Sequence, residues 1–203
     1  MGEVLAMMGF GRISRRAAAG AAALALLLAG GCSNLITTLG LGGDVAAVPP
    51  RLIGPERLRV TLPARDAQAV LGPVSRNSGV TVWQTLDGIS LSFHSGVLIE
   101  TRGLGHDLMS SDPAGTVAML RGATDGGYYP QIRTYLDGEQ RTVFRSFQCR
   151  RGGGSGGRID EICVSPDETV TNSYWLDAAG RVIKSRQWVG PTIEYMETQQ
   201  VLR

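Results

Sequence analysis

The fold is decided by the stretch VTVWQTLDGISLSFHSGVLIET, which covers residues 80–101. Around Leu91 and Phe93, apolar residues alternate with polar ones, the period of a strand that buries one face. Asp87-Gly88 and Ser95-Gly96 are dipeptides typical of tight hairpin turns. The stretch therefore predicts a meander of three antiparallel strands.

The same pattern of strands and turns continues towards the C-terminus. We expect five further strands, which are Tyr128–Leu136, Gln140–Cys149, Glu168–Asp177, Arg181–Gly190 and Thr192–Val201. Asp137-Gly138 is a hairpin turn between the first two, and the glycine-rich tract 152–157 is a hairpin tip. About ten strands are predicted in all.

Two segments interrupt this pattern. Ala64 to Leu71, just after a strand at residues 58–62, is predicted to be a short helix that Gly72-Pro73 ends. A second short helix begins at Asp112-Pro113 and runs to about Arg121. With so little helix, we expect an all-β antiparallel barrel, because a barrel leaves no unpaired edges, with a β-sandwich as the alternative.

The N-terminal segment indicates where the protein is located. LLLAGGC, residues 26–32, follows three arginines and contains the end of an apolar run at 17–29. This run of 13 residues is too short for the roughly 20 residues of a spanning helix. This order resembles the lipobox of a bacterial lipoprotein, which implies that Cys32 is acylated. Ser33, rather than Asp, favours the outer membrane over the inner one.

The chain is therefore expected to have three parts: a signal peptide at 1–31, a lipidated tether at 32–52 and a single β domain at 53–203. Removing the leader, with its three arginines and one glutamate, leaves 17 basic and 17 acidic residues. A neutral mature chain argues against a nucleic-acid partner, which needs a basic surface.

Cys149 and Cys163 remain once Cys32 is assigned to the lipid. An even number of cysteines in an exported domain suggests a disulfide. Two buried thiols or a metal-binding pair are the alternatives, although the spacing matches no familiar metal site.

Candidate catalytic residues are few. The histidines, His94 and His106, lack a nucleophile and an orienting partner at a suggestive spacing. A glycan-modifying enzyme would need paired carboxylates, for which Asp107 with Asp112 or Glu161 with Asp167 are the candidates. We expect no catalytic residue, no metal and no cofactor.

Aromatic residues are concentrated in the strands at 168–190. Trp175, Trp188 and Tyr174 are expected to pack in the core, with stacking on sugars as the alternative. In that alternative they form, together with Arg186, a contact surface for a glycan or a partner protein.

The hairpin TNSYWLDAAGRVIKSRQWVG, residues 171–190, closely resembles the C-terminal end of the GfcB/YjbF lipoprotein family. Members carry an aromatic-Trp-Val-Asp strand, an Ala-x-Gly turn and a Ser-Arg-Gln strand that ends in Gly. Trp83, the meander after it and the segment 103–113 follow the same family pattern. The likeness covers about residues 53 to 200, and the sequence departs from it at the glycine-rich tip and the Cys149–Cys163 pair.

The resemblance implies an all-β outer-membrane lipoprotein, encoded with capsule or exopolysaccharide machinery and without known catalytic residues. We therefore expect a non-enzymatic accessory of polysaccharide export or assembly. Its expected partners are outer-membrane lipid, through Cys32, and an exporter or the polysaccharide itself. The alternative is a periplasmic carrier of lipid or another hydrophobic ligand, which would need a large apolar cavity instead of an interior packed by Trp83, Phe93 and Trp175.

Overall fold

A computed structural model describes residues 50–124, 126–136, 139 and 141–201 of the chain. The predicted lipidation site Cys32 and the predicted turn Asp137-Gly138 lie outside the described residues. The twelve strands are β1 Arg57–Leu62, β2 Ala67–Asn77, β3 Val80–Gln84, β4 Ser90–His94, β5 Val97–Arg102, β6 Leu108–Ser111, β7 Tyr129–Leu136, β8 Thr142–Arg151, β9 Arg158–Val164, β10 Thr169–Leu176, β11 Val182–Gly190 and β12 Glu194–Val201. Within these described ranges, the helical elements are a 3₁₀ turn, Pro63–Arg65, and the α-helix α1, Ala114–Leu120.

The strands form one antiparallel sheet in the order β5-β4-β3-β2-β1-β12-β11-β10-β9-β8-β7-β6. Its two edges, β5 and β6, follow each other in the chain and meet at a seam. There the backbone N–H of Leu108 on β6 donates to the hydroxyl of Thr101 on β5 at 3.0 Å. The sheet is thus nearly closed into a barrel, which confirms the predicted fold class.

The three-strand meander is also confirmed. Trp83 on β3 pairs with Leu91 on β4, and Phe93 on β4 pairs with Leu98 on β5. All four side chains are buried. The alternating residues of this stretch therefore place their apolar face inside the barrel, as their period predicts.

The helix predicted from Ala64 to Leu71 is wrong. The 3₁₀ turn at Pro63–Arg65 is followed directly by β2, which runs through Gly72 and Pro73 to Asn77. The segment pairs with β1 from Leu58↔Leu71 to Leu62↔Ala67. Pairing with a neighbouring strand overrides the helix preference of the alanines, because local propensity is weaker than tertiary context.

The second predicted helix is confirmed as α1. A carboxylate oxygen of Asp112 accepts a hydrogen bond from the backbone N–H of Ala114 at 2.9 Å, at the start of the helix. Thr116, Val117 and Met119 are buried against the barrel strands. The helix thus packs one face against the barrel strands, whereas Ala114 at its start is exposed.

Strands β2, β6 and β9 were absent from the sequence prediction. The first was assigned to a helix, and the second lies in a segment, 103–113, to which no strand was assigned. The third was missed because of the charged residues in RIDEICV, residues 158–164. Cys149 on β8 faces Cys163 on β9, and a disulfide joins them.

One part of the interior, which we call the apolar core, is packed entirely by hydrophobic side chains. Its buried members are Leu58, Val60, Leu71, Trp83, Leu91, Phe93, Leu98, Leu108, Val189, Ile193 and Met196. Most of them come from β1 to β5 and from the C-terminal strands beside β1. Burial at about 25 cal/mol per Å² of apolar area makes this cluster a major source of stability.

Candidate functional site

A buried carboxylate dominates the other part of the interior. Glu161 on β9 is 0% exposed, and four side-chain donors converge on its two oxygens. Thr116 and Tyr129 donate to Oε1 at 2.5 and 2.7 Å. Asn172 and Tyr174 donate to Oε2 at 2.8 and 3.3 Å. Buried charges require this degree of pairing, because an unsatisfied carboxylate inside a protein costs several kcal/mol.

The hydrogen bonds continue from Thr116 across the barrel. Gln131 donates to the Thr116 hydroxyl at 3.1 Å, and Arg133 donates to the Gln131 side-chain oxygen at 3.0 Å. A second nitrogen of Arg133 donates to the backbone carbonyl of Trp188 at 2.5 Å. This chain ties α1, β7 and β11 to the carboxylate on β9.

On the β5 side, Gln187 extends the same set of contacts. Its side-chain nitrogen donates to the Gly96 carbonyl at 3.0 Å, and its oxygen accepts from the backbone N–H of Leu98 at 2.9 Å. We call the whole group the Glu161 network. Its members are Thr116, Tyr129, Gln131, Arg133, Glu161, Asn172, Tyr174 and Gln187.

The tyrosines of the network are held in the protonated form. Burial, followed by the charge of Glu161, raises the pKa of both Tyr129 and Tyr174 well above the ordinary value. Each hydroxyl therefore stays a donor to the carboxylate. The geometry is that of a structural clamp, in which each oxygen of Glu161 receives two donors.

The Glu161 carboxylate also lies close to the disulfide. One potential ligand atom from each of Cys149, Glu161 and Cys163 lies within 4.8 Å of the others, a grouping that could hold a metal ion. However, the two sulfurs are bonded to each other, and the carboxylate oxygens already accept four hydrogen bonds. The groups as arranged here do not fit a metal, which needs free thiolates.

The carboxylate pairs proposed from the sequence serve structural roles. Asp107 binds the seam, accepting from the Thr101 hydroxyl at 2.7 Å and from the backbone N–H groups of Gly103 and Leu104. Asp112 caps α1, as described above. Glu161 is buried whereas Asp167 is exposed in the β9–β10 turn, so they do not form a pair around a cleft.

The predicted contact residues are divided between the inside and the outside of the barrel. Tyr174 is 1% exposed and belongs to the Glu161 network, which agrees with the expectation that it packs in the core and not with the alternative of a contact residue. Trp175 is half-buried on the opposite face of β10, with the Lys184 ammonium 4.8 Å from its ring centre. The prediction that Trp175 packs in the core is therefore wrong, because the strand alternation turns it away from the interior.

Arg186 and Trp188 both contact Tyr195 of β12. The Arg186 guanidinium lies 3.4 Å from the Tyr195 ring centre, and the rings of Trp188 and Tyr195 meet edge to face at 5.1 Å. Trp188 also packs partly against buried residues beneath it. We call Trp175, Lys184, Arg186, Trp188 and Tyr195 the aromatic surface.

One end of the barrel opens into a cavity of about 620 Å³, which we call the mouth cavity. Trp83 and Phe93 of the apolar core lie at its base, and Thr81, Thr198 and Gln200 contribute polar groups. Arg121, at the end of α1, and Arg181, in the β10–β11 turn, also line it. This cavity was missed by sequence reasoning, because its lining comes from turns that are distant in the chain.

The rim of the mouth cavity is tied together by hydrogen bonds. The backbone N–H of Ser95 donates to the Gly79 carbonyl at 3.1 Å, which links the β4–β5 turn to the β2–β3 turn. In the β10–β11 turn, Asp177 accepts from Arg181 at 2.8 Å and from two backbone N–H groups at 2.9 Å. These bonds, those from Arg181 foremost, hold the pKa of Asp177 below its usual value.

In the part of the chain that the structure describes, no helix combines the length and the hydrophobicity needed to cross a membrane.

The comparisons with known proteins agree with this architecture. The chain is similar to the crystal structure of the hypothetical lipoprotein YmcC from Escherichia coli, with a TM-score of 0.57 and 18% sequence identity, over 85% of this chain and 96% of that one. At this identity the likeness shows the fold alone. No curated protein matches the sequence. The family model described as "Group 4 capsule polysaccharide lipoprotein gfcB, YjbF" matches residues 45–201. With more than half of its residues matched, the chain belongs to the YjbF family of capsule polysaccharide lipoproteins.

Proposed function

We propose that this protein is a non-enzymatic, lipid-anchored accessory of capsule or exopolysaccharide export or assembly. The observation that carries the proposal is the family match over residues 45–201, whose description names a capsule polysaccharide lipoprotein. In this proposal, a signal peptide at 1–31 is removed, Cys32 is acylated and residues 32–52 tether the β domain at 53–203. The domain lies at the periplasmic face of the outer membrane.

A non-enzymatic role is supported by how the titratable groups are used. Asp107, Asp112 and Glu161 each accept hydrogen bonds that hold the seam, a helix start and the barrel interior. His106 is exposed in the loop after β5. Because the three carboxylates are already occupied by structural hydrogen bonds, a scaffold or a binding protein is favoured over a catalyst.

The aromatic surface is the proposed contact for a partner exporter. It presents Trp175 and Trp188 together with two cations, Lys184 and Arg186, on neighbouring strands. Aromatic residues and arginine are the residue types enriched at protein interfaces. Each cation lies over an aromatic ring, which leaves a rigid patch with little side-chain freedom to lose on binding.

The alternative, a carrier of a hydrophobic ligand, has less support from the interior. The apolar core is filled by buried side chains, and the apolar space beside Leu62, Leu71 and Leu104 amounts to about 220 Å³. The larger mouth cavity includes arginines and polar groups in its lining. A lipid tail would need an apolar channel of greater depth.

Gene deletion tests the proposed role. We expect deletion to lower the amount of surface polysaccharide, and the wild-type gene to restore it. Cys32→Ser should leave the protein in the soluble periplasmic fraction without restoring the polysaccharide, whereas Ser33→Ala serves as the matched control and should restore it. Unchanged surface polysaccharide after deletion would contradict the proposal.

Co-purification tests the partner. The wild-type protein, extracted from membranes with a neutral detergent, should retain an outer-membrane exporter, and Trp175→Ala combined with Arg186→Ala should release it. A control variant on β8, outside the aromatic surface, is Phe144→Ala, which changes a side chain that is 69% exposed and should retain the exporter. If the wild-type protein and both variants retain equal amounts of the exporter, the aromatic surface is not its binding site.

A further inference from the structure

The mouth cavity has the dimensions of a ligand site. Its volume of about 620 Å³ lies within the range of roughly 300–1,000 Å³ that is common for small-molecule sites. At its base, Trp83 and Phe93 are 5% and 6% exposed and contribute a small area of aromatic ring, while Thr81 and Gln200 contribute a hydroxyl and an amide. Aromatic rings beside neutral hydrogen-bonding groups suit a sugar, which has apolar C–H faces and hydroxyl edges.

The charge of the lining favours an anion. Among the described residues that line the cavity, two are arginines and none is an acid. Arg181 is paired with Asp177 at 2.7 Å, but its side chain is 78% exposed and keeps N–H groups facing solvent. Arg121 donates to the Ser95 hydroxyl only at the long distance of 3.5 Å. Counting Asp177, the cavity has a surplus of one positive charge.

The rim of the site is built from tight turns that hydrogen bonds connect to the barrel interior. Three of the turns around it contain glycines with positive φ, Gly79, Gly96 and Gly180, at +82°, +86° and +75°. The Gly96 carbonyl accepts from Gln187, a member of the Glu161 network. Anchoring the rim to the buried network reduces the conformational freedom that would be lost on binding.

We propose that the mouth cavity binds a segment of an acidic polysaccharide, with Arg121 and Arg181 binding its carboxylates and the cavity base contacting its sugar rings. The polysaccharide as ligand class rests on the proposed function. We infer that the ligand carries carboxylates from the two arginines, because the planar guanidinium group can donate two parallel hydrogen bonds to a carboxylate. On the aromatic surface, by contrast, Arg186 already stacks on Tyr195.

A binding experiment on the full chain in neutral detergent tests the site. The probe is a tetramer of galacturonic acid, and its methyl ester is the matched control, because it has the same rings without charge. We expect the tetramer to bind and its methyl ester to bind at least tenfold more weakly. Titration calorimetry gives the affinity, and raising the salt concentration should weaken it.

Variants locate the binding within the barrel. Arg121→Gln should weaken tetramer binding about fivefold to tenfold, and Ala179→Trp, which adds bulk at the exposed rim, should abolish it. Arg151→Gln removes an exposed arginine on β8, outside the cavity lining, and should leave the affinity unchanged. Circular dichroism verifies that each variant is folded.

The inference is overturned if the tetramer does not bind, if the methyl ester binds equally well, or if Arg121→Gln and Ala179→Trp bind as tightly as wild type. These results are separate from those of the deletion experiment. Reduced surface polysaccharide after deletion, together with no tetramer binding, would reject the site and keep the accessory role. Tetramer binding with unchanged polysaccharide after deletion would reject the accessory role and keep the site.

Discussion

The apolar core and the Glu161 network occupy the same barrel but are specified in different ways. In the apolar core, the requirement on side chains such as Leu91 and Met196 is that they are hydrophobic and have a suitable volume. In the network, Glu161 is stable only because Thr116, Tyr129 and Asn172 are placed to donate to it. The stability of the apolar core therefore depends on side-chain volume, and the stability of the Glu161 network depends on its hydrogen-bond partners.

The largest expected effect tests the network. Glu161→Ala leaves four side-chain donors without their acceptor, so we expect the free energy of unfolding to fall by about 3–5 kcal/mol. Urea denaturation followed by circular dichroism measures the change. Glu197→Ala, at a side chain 44% exposed and 3.8 Å from Arg186, is the control and should change it by at most about 0.5 kcal/mol. A loss below about 1 kcal/mol for Glu161→Ala would show that the network is not cooperative.

The second test is on the apolar core. Leu91→Ala, at a side chain that is 1% exposed, should lower the free energy of unfolding by about 3 kcal/mol, from lost burial and the cavity left behind. Leu86→Ala, at a side chain that is 75% exposed, is the matched control and should have little effect. The same urea experiment measures both.

Shape-conserving variants sharpen the comparison. Leu91→Met should cost less than about 1.5 kcal/mol, because the apolar core requires only volume. Glu161→Gln keeps the volume but replaces an acceptor with an amide donor that faces other donors, so we expect a cost of about 2 kcal/mol or more. If the two variants have equal costs, the two regions do not differ in the way we infer.

The smallest effect is expected at the rim of the mouth cavity, outside both regions. Because the pKa of Asp177 is lowered in the folded protein, its ionised form stabilises the fold above the ordinary value of 3.8. That contribution is lost as the pH falls below 3.8 and through the lowered pKa. Thermal melting should therefore show wild type slightly more stable than Asp177→Asn at pH 6, with the difference vanishing towards pH 2. A difference that grew on acidification would have the wrong sign.

The apolar core could be predicted from the sequence, whereas the network could not. The alternation around Leu91 and Phe93 reports directly which face is buried. Glu161, Gln131 and Asn172 also lie at alternate, inward-facing positions of their strands. By composition, however, polar residues in strands indicate exposure to solvent. For this reason the charged segment that forms β9 was not recognised as a strand, and the network partners of Glu161 could not be identified.

The candidate site could be predicted only in part. The turns at Ser95-Gly96 and at residues 177–180 are evident from their residue types, but nothing in their spacing shows that they converge on one cavity. For Trp175, hydrophobicity indicated burial in the core, although its position on β10 places it on the outer face beside Lys184. Periodicity was the better guide there than residue type.

The strand order has a consequence for the order in which the barrel folds. β1 and β12 are neighbours, with Arg57 paired to Val201. One edge of β1 can therefore form its hydrogen bonds only after β12, the last strand in the chain order, is present. As the chain is made from N- to C-terminus, the meander β1–β5 can assemble early, but its β1 edge remains unpaired until β12 is available. Such long-range pairing slows folding and exposes an edge to other chains. The unfinished barrel is therefore the state in which this protein would most need a chaperone.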